Sequence, residues 1–378
     1  MNNKINIMLR NSAFIFMLGN LLYFMFPFPP IVWRLLSVMV SVYIAYRFIM
    51  REKMRTFEKL CYAFVGMNFV YFFASFLWMS PAMTQIGNIM CAMLAFPTFI
   101  YLGRKGVLTE RFMLVAMVVL TACSIPVYFH MMHSKMAILG NSSVTVNAST
   151  YFLLILPLCI LFYRKKCSLI VYIICMIFIM MSGKRGNLVG AAIPSIFFLY
   201  LKYKDAKKSF LKLIPYILGV CIGLYYGTEF LLSSEQMMLK LTIMMEGDSS
   251  GRDVILSHLW NVWYNSNDII SYIFGYGYDG TLQNGGMYAH NDWMELLICS
   301  GLIGVVAYLA IFFSLFSFFL KRKSFLQQSV LISICTIWLL KTLVSMGYTD
   351  DSLAFLAIPL AYIYTQSYNK QYANTIHN

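Results

Sequence analysis

Charged residues are scarce in this chain: Asp, Glu, Lys and Arg together make up 12% of its 378 residues. Hydrophobic residues make up 60%, and the mean hydropathy is +0.70. Such a chain is too apolar for a soluble domain and has room for many bilayer spans of about 20 residues. Its eight aspartates form no D-x-D pair. That absence argues against a glycosyltransferase that uses a metal ion and a nucleotide sugar.

The net charge of +14 would fit a nucleic-acid-binding protein, but the basic residues fall in short clusters between apolar runs. We therefore exclude nucleic acid as a partner. Apolar runs that predict twelve spans lie near 11–27, 31–49, 60–80, 83–102, 112–130, 148–163, 167–182, 187–201, 210–227, 293–320, 326–346 and 351–366. Placing both termini in the cytoplasm puts 22 of the 29 Lys and Arg in cytoplasmic loops, as the positive-inside rule favours. The other seven are Arg34, Lys135, Lys184, Arg185, Lys240, Arg252 and Lys341.

The nine cysteines do not form the pattern of a disulfide framework, because eight of them lie in apolar runs and Cys167 lies beside a basic cluster. We interpret them as reduced packing residues. His130 and His133 have the spacing of half a metal site, but no further ligand accompanies them nearby. The sequence therefore predicts no metal ion and no other cofactor.

The predicted fold is an all-α polytopic membrane protein in three parts. Residues 1–227 are predicted to form a nine-helix membrane region, 228–291 a long external loop that holds a short amphipathic helix and catalytic elements, and 292–378 a three-helix membrane region. A loop of that length in a compact protein is usually functional or disordered. Its many Trp and Tyr residues favour an ordered segment that rests at the membrane interface.

Two predicted helix starts, one inside this loop and one next to it, carry candidate site residues. Arg252 falls in the first turn of an amphipathic helix that Ser250 would cap, with Val254, Ile255, Leu259 and Trp263 on one side. A cation there opposes the helix dipole, so another group must favour it. Asp292 and Glu295 resemble a capping box, which would place His290 and Asn291 at the mouth of the next helix. Backbone N–H groups at such a mouth favour an anion.

The block HNDWMELLICSGLIG, preceded by a GR…W helix and an FGYGY turn, resembles the signature of the O-antigen ligase and O-antigen polymerase superfamily of bacterial envelope glycosyltransferases. The resemblance covers roughly Met181 to Gly304. It implies an enzyme of the bacterial inner membrane whose donor is an oligosaccharide linked to undecaprenyl pyrophosphate. The implied acceptor is a second lipid-linked repeat unit or lipid A–core, and a chain-length regulator protein is a candidate partner.

The resemblance also assigns roles to residues. His290 aligns with the superfamily's HN motif and is the expected general base, while Arg252 and Arg185 are expected to grip the pyrophosphate through planar, bidentate hydrogen bonds. Expected substrate-binding residues are Lys184, Asn291, Asp292 and Arg34.

Each assignment has a plainer alternative. Lys184 and Arg185 could form a solvated turn, although the flanking Gly183 and Gly186 would let backbone and ligand approach closely. His290 could be an ordinary polar residue. Arg252 could pair with Asp248 or Glu246. Asp350 and Asp351 are better explained as a helix cap than as acceptor contacts. Arg34 and Lys341 lie within predicted spans, where a charge needs a cavity or a partner.

Among functions, the composition favours a polymerase modestly over a ligase. The rival outside this class is a flippase for the same lipid-linked oligosaccharide, but transporters commonly show related halves, and here the long loop and the candidate site occur in only one half.

Overall fold

A computed structural model describes residues 2–25, 30–77, 83–139, 146–182, 184–205, 252–266, 268–322 and 324–376. Helices and turns account for this part of the chain, and no strand occurs in it. The first nine helices are α1 (Asn2–Met25), α2 (Pro30–Arg51), α3 (Thr56–Ser75), α4 (Met83–Met93), α5 (Ala95–Arg104), α6 (Glu110–Leu139), α7 (Ser149–Leu161), α8 (Lys166–Met181) and α9 (Arg185–Asp205). Then follow α10 (Arg252–Tyr264), α11 (Ile269–Phe274), α12 (Gly280–Gly285), α13 (Asp292–Leu320), α14 (Phe325–Val344), a 3-10 turn (Asp351–Leu353) and α15 (Ala354–Ile376).

The all-helical prediction is confirmed for the described residues, and eleven of the twelve apolar runs coincide with helices or helix pairs. The run at 210–227 lies outside the described residues, as does the long loop before Arg252. Within the described residues, four helical segments are long and apolar enough to cross a bilayer by length and composition alone: Gln85–Arg104, Glu110–Ser134, Asp292–Leu320 and Phe325–Val344. The count of twelve spans and the periplasmic position of the loop stay predictions.

Helix α7 forms the centre of the bundle. It packs against α6, α8, α9, α14 and α15, and every residue from Ser149 to Ile160 is buried. A helix that is apolar on all sides suits a position in the core of a bundle, where other helices cover it. Helix α5 is buried in the same way from Ala95 to Gly103, and α15 packs along it.

The cysteines agree with the packing interpretation. The eight that the structure describes are free thiols, and five of them are buried.

Helix α13 is broken at Gly301. The residue has φ 60° and ψ −157°, a conformation that essentially only glycine adopts, so the helix stops at Ser300 and restarts beyond it. The segment after α11 occupies the break: Tyr276 N donates to Ile298 O at 2.7 Å, and Gly277 N donates to Cys299 O at 3.1 Å. These bonds satisfy carbonyls that the break would otherwise leave unpaired. The apolar run at 293–320 predicts one continuous helix, and the break at Gly301 corrects that prediction.

The docked segment is held by very close backbone contact. A Cβ atom on Gly301 would lie 2.4 Å from Ile273 O, and one on Gly275 would lie 2.6 Å from Ile298 O. No side chain fits at either position. Gly275 of the FGYGY turn and Gly301 of SGLIG therefore allow the two backbones to approach each other closely.

The segment from α10 to α11 has one buried and one exposed apolar face. Leu259 packs with Ala289 and Ile298, with Ile255 and Trp263 alongside. On the other face Trp260, Tyr264, Ile269, Ile270 and Phe274 are exposed. Val254, predicted to share the side of Leu259, is 69% exposed, so that part of the predicted stripe is wrong. Exposed aromatic and aliphatic side chains fit a membrane interface, which stays a prediction.

Replacing Gly301 by Ala should destabilise the protein, because the new Cβ meets the Ile273 carbonyl and the backbone conformation is strained for any other residue. Backbone strain of this kind costs about 1–3 kcal/mol before any steric clash is added. Thermal unfolding of the detergent-solubilised protein measures the effect. Gly66→Ala is the matched control, since nothing lies within 4 Å of a Cβ built at Gly66. Equal melting temperatures for the two variants would contradict the proposed role of the break.

Candidate functional site at the end of α14

The helix mouth predicted around His290 is present, with its cap one residue earlier than expected. Asn291 is the N-cap of α13, and its side-chain oxygen accepts hydrogen bonds from Trp293 N at 3.0 Å and Met294 N at 3.1 Å. The capping box predicted from Asp292 and Glu295 is therefore wrong. Glu295 instead accepts from Ala289 N at 2.9 Å and from the Thr281 hydroxyl, so it holds the segment before His290 against α13.

His290 lies just outside this mouth with an exposed side chain and a left-handed backbone, φ 50°. Left-handed φ is uncommon for a residue other than glycine, although histidine is among the residues that tolerate it. Partial loss of hydration lowers the pKa of His290 below its ordinary value of 6.5, and the charges of Arg252 and Lys184 lower that pKa further. The direction of this shift favours the neutral imidazole.

Arg252 opens α10 and reaches across to the far end of α14, where its Nη1 donates to Val344 O at 2.9 Å. The start of a helix carries partial positive charge, which disfavours a cation, whereas the last carbonyls of a helix carry partial negative charge. The contact with Val344 O therefore gives the guanidinium the favourable negative charge that the start of α10 does not provide. One guanidinium bond to a carbonyl leaves other N–H donors on the same plane. The predicted cap Ser250 and the alternative partners Glu246 and Asp248 lie outside the described residues.

Lys184 reaches the same group of residues from the turn before α9. Its Nζ lies 3.4 Å from Thr150 Oγ1, and its charge acts on His290. Asn187, buried one turn into α9, donates to Ser149 Oγ at 2.6 Å and thereby ties this turn to the start of α7. The Lys184 turn is therefore anchored on the central helix of the bundle.

The structure describes Arg185 only by its backbone, at the first residue of α9. At the next residue, a Cβ built on Gly186 would lie 3.3 Å from Val344 Cγ2. The small residue thus permits close approach of α14 to the turn. Gly183 lies outside the described residues.

The C-terminal end of α14 is the point where these elements meet. Asn291 Nδ2 donates to Leu343 O at 3.0 Å, next to the Arg252 contact with Val344 O. Trp293 Nε1 donates to Thr342 Oγ1 at 3.1 Å one residue earlier. Four of the predicted site residues, Lys184, Arg252, His290 and Asn291, are thus brought together from three separate stretches of the chain.

Asp292 has a different task from the substrate contact that the sequence predicted. It is fully buried, and its carboxylate accepts from Gly347 N at 2.7 Å, Tyr348 N at 3.2 Å and the Tyr308 hydroxyl at 2.9 Å. Trp338 Nε1 donates to that hydroxyl at 2.9 Å. A buried carboxylate is stable only with such donors, and these tie the start of α13 to the loop that follows α14.

Arg34 belongs to a second charged group. It lies on α2 beside Gly87, and its charge acts on Asp351 of the 3-10 turn. In the same turn Asp350 accepts from Ser352 N at 2.9 Å and pairs with Lys341 Nζ at 2.5 Å, so the predicted cap is confirmed and the charge of Lys341 has a partner. Burial alone would raise the pKa of Asp350, but Lys341 and Ser352 outweigh it and hold that pKa below its ordinary value.

Sequence reasoning missed three contributors: Thr150, Asn187 and the backbone carbonyls at the end of α14. Asn187 follows the Lys-Arg turn closely, and its polar side chain in an apolar run was a signal that could have been used. A backbone carbonyl has no sequence signal of its own. His130 and His133 are exposed on α6, and among the described residues no three His, Cys, Asp or Glu side chains group as a metal site.

A comparison with known protein families matches the part of the chain that holds the candidate site. Residues 170–309 match the family model described as O-antigen ligase, a span that contains Lys184, Arg252, His290 and Asn291. No curated protein matches the chain. The match covers the HNDWMELLICSGLIG block, the FGYGY turn and the GR…W helix on which the resemblance depended. It supports the assignment of this chain to the O-antigen ligase and O-antigen polymerase superfamily.

Proposed function

We propose that this protein is an O-antigen polymerase, which joins oligosaccharide repeat units linked to undecaprenyl pyrophosphate at the periplasmic face of the inner membrane. The observation that carries the proposal is the meeting of Lys184, Arg252 and His290 at the end of α14. It offers two cations for a departing diphosphate beside a neutral imidazole for a sugar hydroxyl. The family match at 170–309 supports glycosyl transfer in general.

In the proposed reaction the acceptor hydroxyl oxygen attacks the anomeric carbon of the donor sugar and His290 takes the hydroxyl proton. The bond between that carbon and the diphosphate oxygen breaks, and the diphosphate leaves with the electron pair. Arg252 and Lys184, with Arg185 as a further candidate, stabilise the charge that develops on the leaving group. No metal ion is required, because cationic side chains perform the task that a divalent ion performs elsewhere.

Asn291 holds a supporting place in this proposal. Its side-chain oxygen caps α13 while its Nδ2 donates to Leu343 O, so it fixes the backbone on which His290 is carried. Arg34, whose charge acts on Asp351, stays a predicted substrate-binding residue that could extend the anion site.

A ligase that transfers the glycan to lipid A–core has the same donor and needs the same cations and base, so it is the second candidate. A deletion strain distinguishes the two through its lipopolysaccharide ladder. A polymerase deletion leaves one repeat on the core, whereas a ligase deletion leaves bare core and accumulates lipid-linked polymer. Accumulation of repeat units at the cytoplasmic face would indicate a flippase and would contradict the proposal.

His290→Ala should lower chain growth by about 10²- to 10⁴-fold, since a positioned base contributes that much to a proton transfer. The helix beyond should stay formed, because Asn291 and not His290 caps it. Polymer length and amount in a complemented deletion strain are the measurement, with membrane abundance checked by immunoblot. His133→Ala is the control, an exposed histidine on α6. Normal polymer from the His290 variant would show that His290 is not the general base.

Arg252→Lys keeps the charge but loses the planar set of N–H donors that can bind Val344 O and a diphosphate together. Hydrogen bonds to charged groups contribute about 1.5–3 kcal/mol, so transfer should fall about 10- to 100-fold. Arg164→Lys is the matched control, because Arg164 is an exposed arginine paired with Asp205 away from the site. If both lysine variants retain full transfer, Arg252 only anchors α10.

A further inference from the structure

A cleft of about 640 Å³ lies between the first half of α1, the turn after α5 and the start of α6. Its charged lining residues are Arg10, Lys105 and Arg111. Its apolar lining includes Ile7, Phe14, Val107, Phe112 and Val115. A concave surface that combines a few charged groups with an apolar wall is the usual form of a small-ligand site.

The cleft lies at the opposite end of the bundle from His290. Helix α7 begins beside Lys184, at Thr150, and its far end leads into Lys165. Lys165 Nζ lies 2.9 Å from Glu110 Oε1, at the first residue of α6. The start of α6 and the cleft that it lines are therefore one helix length away from the proposed catalytic residues, and the two sites are separate.

The acidic residues near the cleft are already engaged. Glu110 pairs with Lys165, and Glu52 pairs with Lys105 and lies 3.7 Å from Arg104. In the part of the chain that the structure describes, Arg10 and Arg111 form no ion pair with a carboxylate. The cleft thus carries two positive charges that nearby carboxylates do not neutralise, and it favours an anion.

The apolar part of the cleft opens toward the surface of the bundle. Phe14 and Phe112 contact each other with ring centroids 5.1 Å apart and form its wall. Ile7 and Val115 are 47% and 41% exposed, on faces of α1 and α6 that continue along the bundle. A ligand that fits both parts has an anionic head for the arginines and a hydrocarbon chain for the apolar faces.

We propose that this cleft binds the phosphate head group of an anionic phospholipid of the surrounding leaflet, with an acyl chain lying along α1 and α6. Basic pockets between helices at one end of a membrane bundle bind such head groups. Arg10 and Arg111 bind the phosphate, and Ile7 and Val115 contact the chain. The bound lipid would hold the start of α6 against α1 without taking part in glycan transfer.

Native mass spectrometry of the purified full-length protein, titrated with phosphatidylglycerol, tests this site. Each arginine near the membrane surface contributes about 1 kcal/mol, so Arg10→Gln with Arg111→Gln should weaken binding about 30-fold, which is roughly 2 kcal/mol. Arg10→Lys with Arg111→Lys keeps both charges and should retain most of the binding. This second variant keeps the test valid if the Gln variant folds poorly.

Lys53→Gln with Lys59→Gln is the matched control, because it removes two exposed charges that do not line the cleft. Phosphatidylglycerol should bind this control as it binds the wild type, phosphatidylethanolamine should bind weakly, and equimolar inorganic phosphate should not compete. Equal lipid binding by the wild type and the Arg-to-Gln variant would overturn the proposal. So would an equal loss in the lysine control, which would indicate a net-charge effect. Displacement by inorganic phosphate would indicate a site for free phosphate in place of a lipid.

Discussion

The candidate site depends on the carbonyl groups that end α14. They face away from their own helix with no further residue to bond, and they accept instead from Arg252 and Asn291 at 2.9 and 3.0 Å. Those two contacts bring helix α10 and the start of α13 to one place. Because the negative end of a helix dipole favours a cation, the contact with Val344 O holds the Arg252 guanidinium at the end of α14, where its charge acts on His290.

A second constraint keeps this arrangement in place. The buried carboxylate of Asp292 bonds the backbone of Gly347 and Tyr348, so the loop after α14 cannot move independently of the start of α13. The break at Gly301 then lets the segment after α11 bond into α13, and Glu295 holds the residues before His290. The short stretch of chain that carries the His290 imidazole is thus fixed at both ends. Rigid support of this kind is what a catalytic group requires.

Much of the architecture could be predicted because bilayer spans require long apolar runs, and those runs coincide with helices. The predictions about the start of α13 and about Gly301 failed for the same reason. In both cases the contact that decides the structure is made with a backbone group or with a residue distant in sequence. Asn291 and Asp292 are both good capping residues, and only the Asp292 contacts with the loop after α14 decide between them. A glycine in an apolar run fits packing or a break equally well, so Gly301 needed the docked segment to be interpreted.

We propose that partial loss of hydration, together with the charges of Arg252 and Lys184, lowers the pKa of His290 so that its imidazole can act as a base. The pH dependence of kcat/KM for transfer in proteoliposomes tests it most directly, since that quantity reports the ionisation of the free enzyme. The wild type should lose activity only at a pH below 6.5, the ordinary histidine pKa, and Lys184→Met should move that loss toward 6.5 because one lowering charge is gone. An acid limb at or above 6.5 in the wild type, or one that does not move in Lys184→Met, would contradict the account.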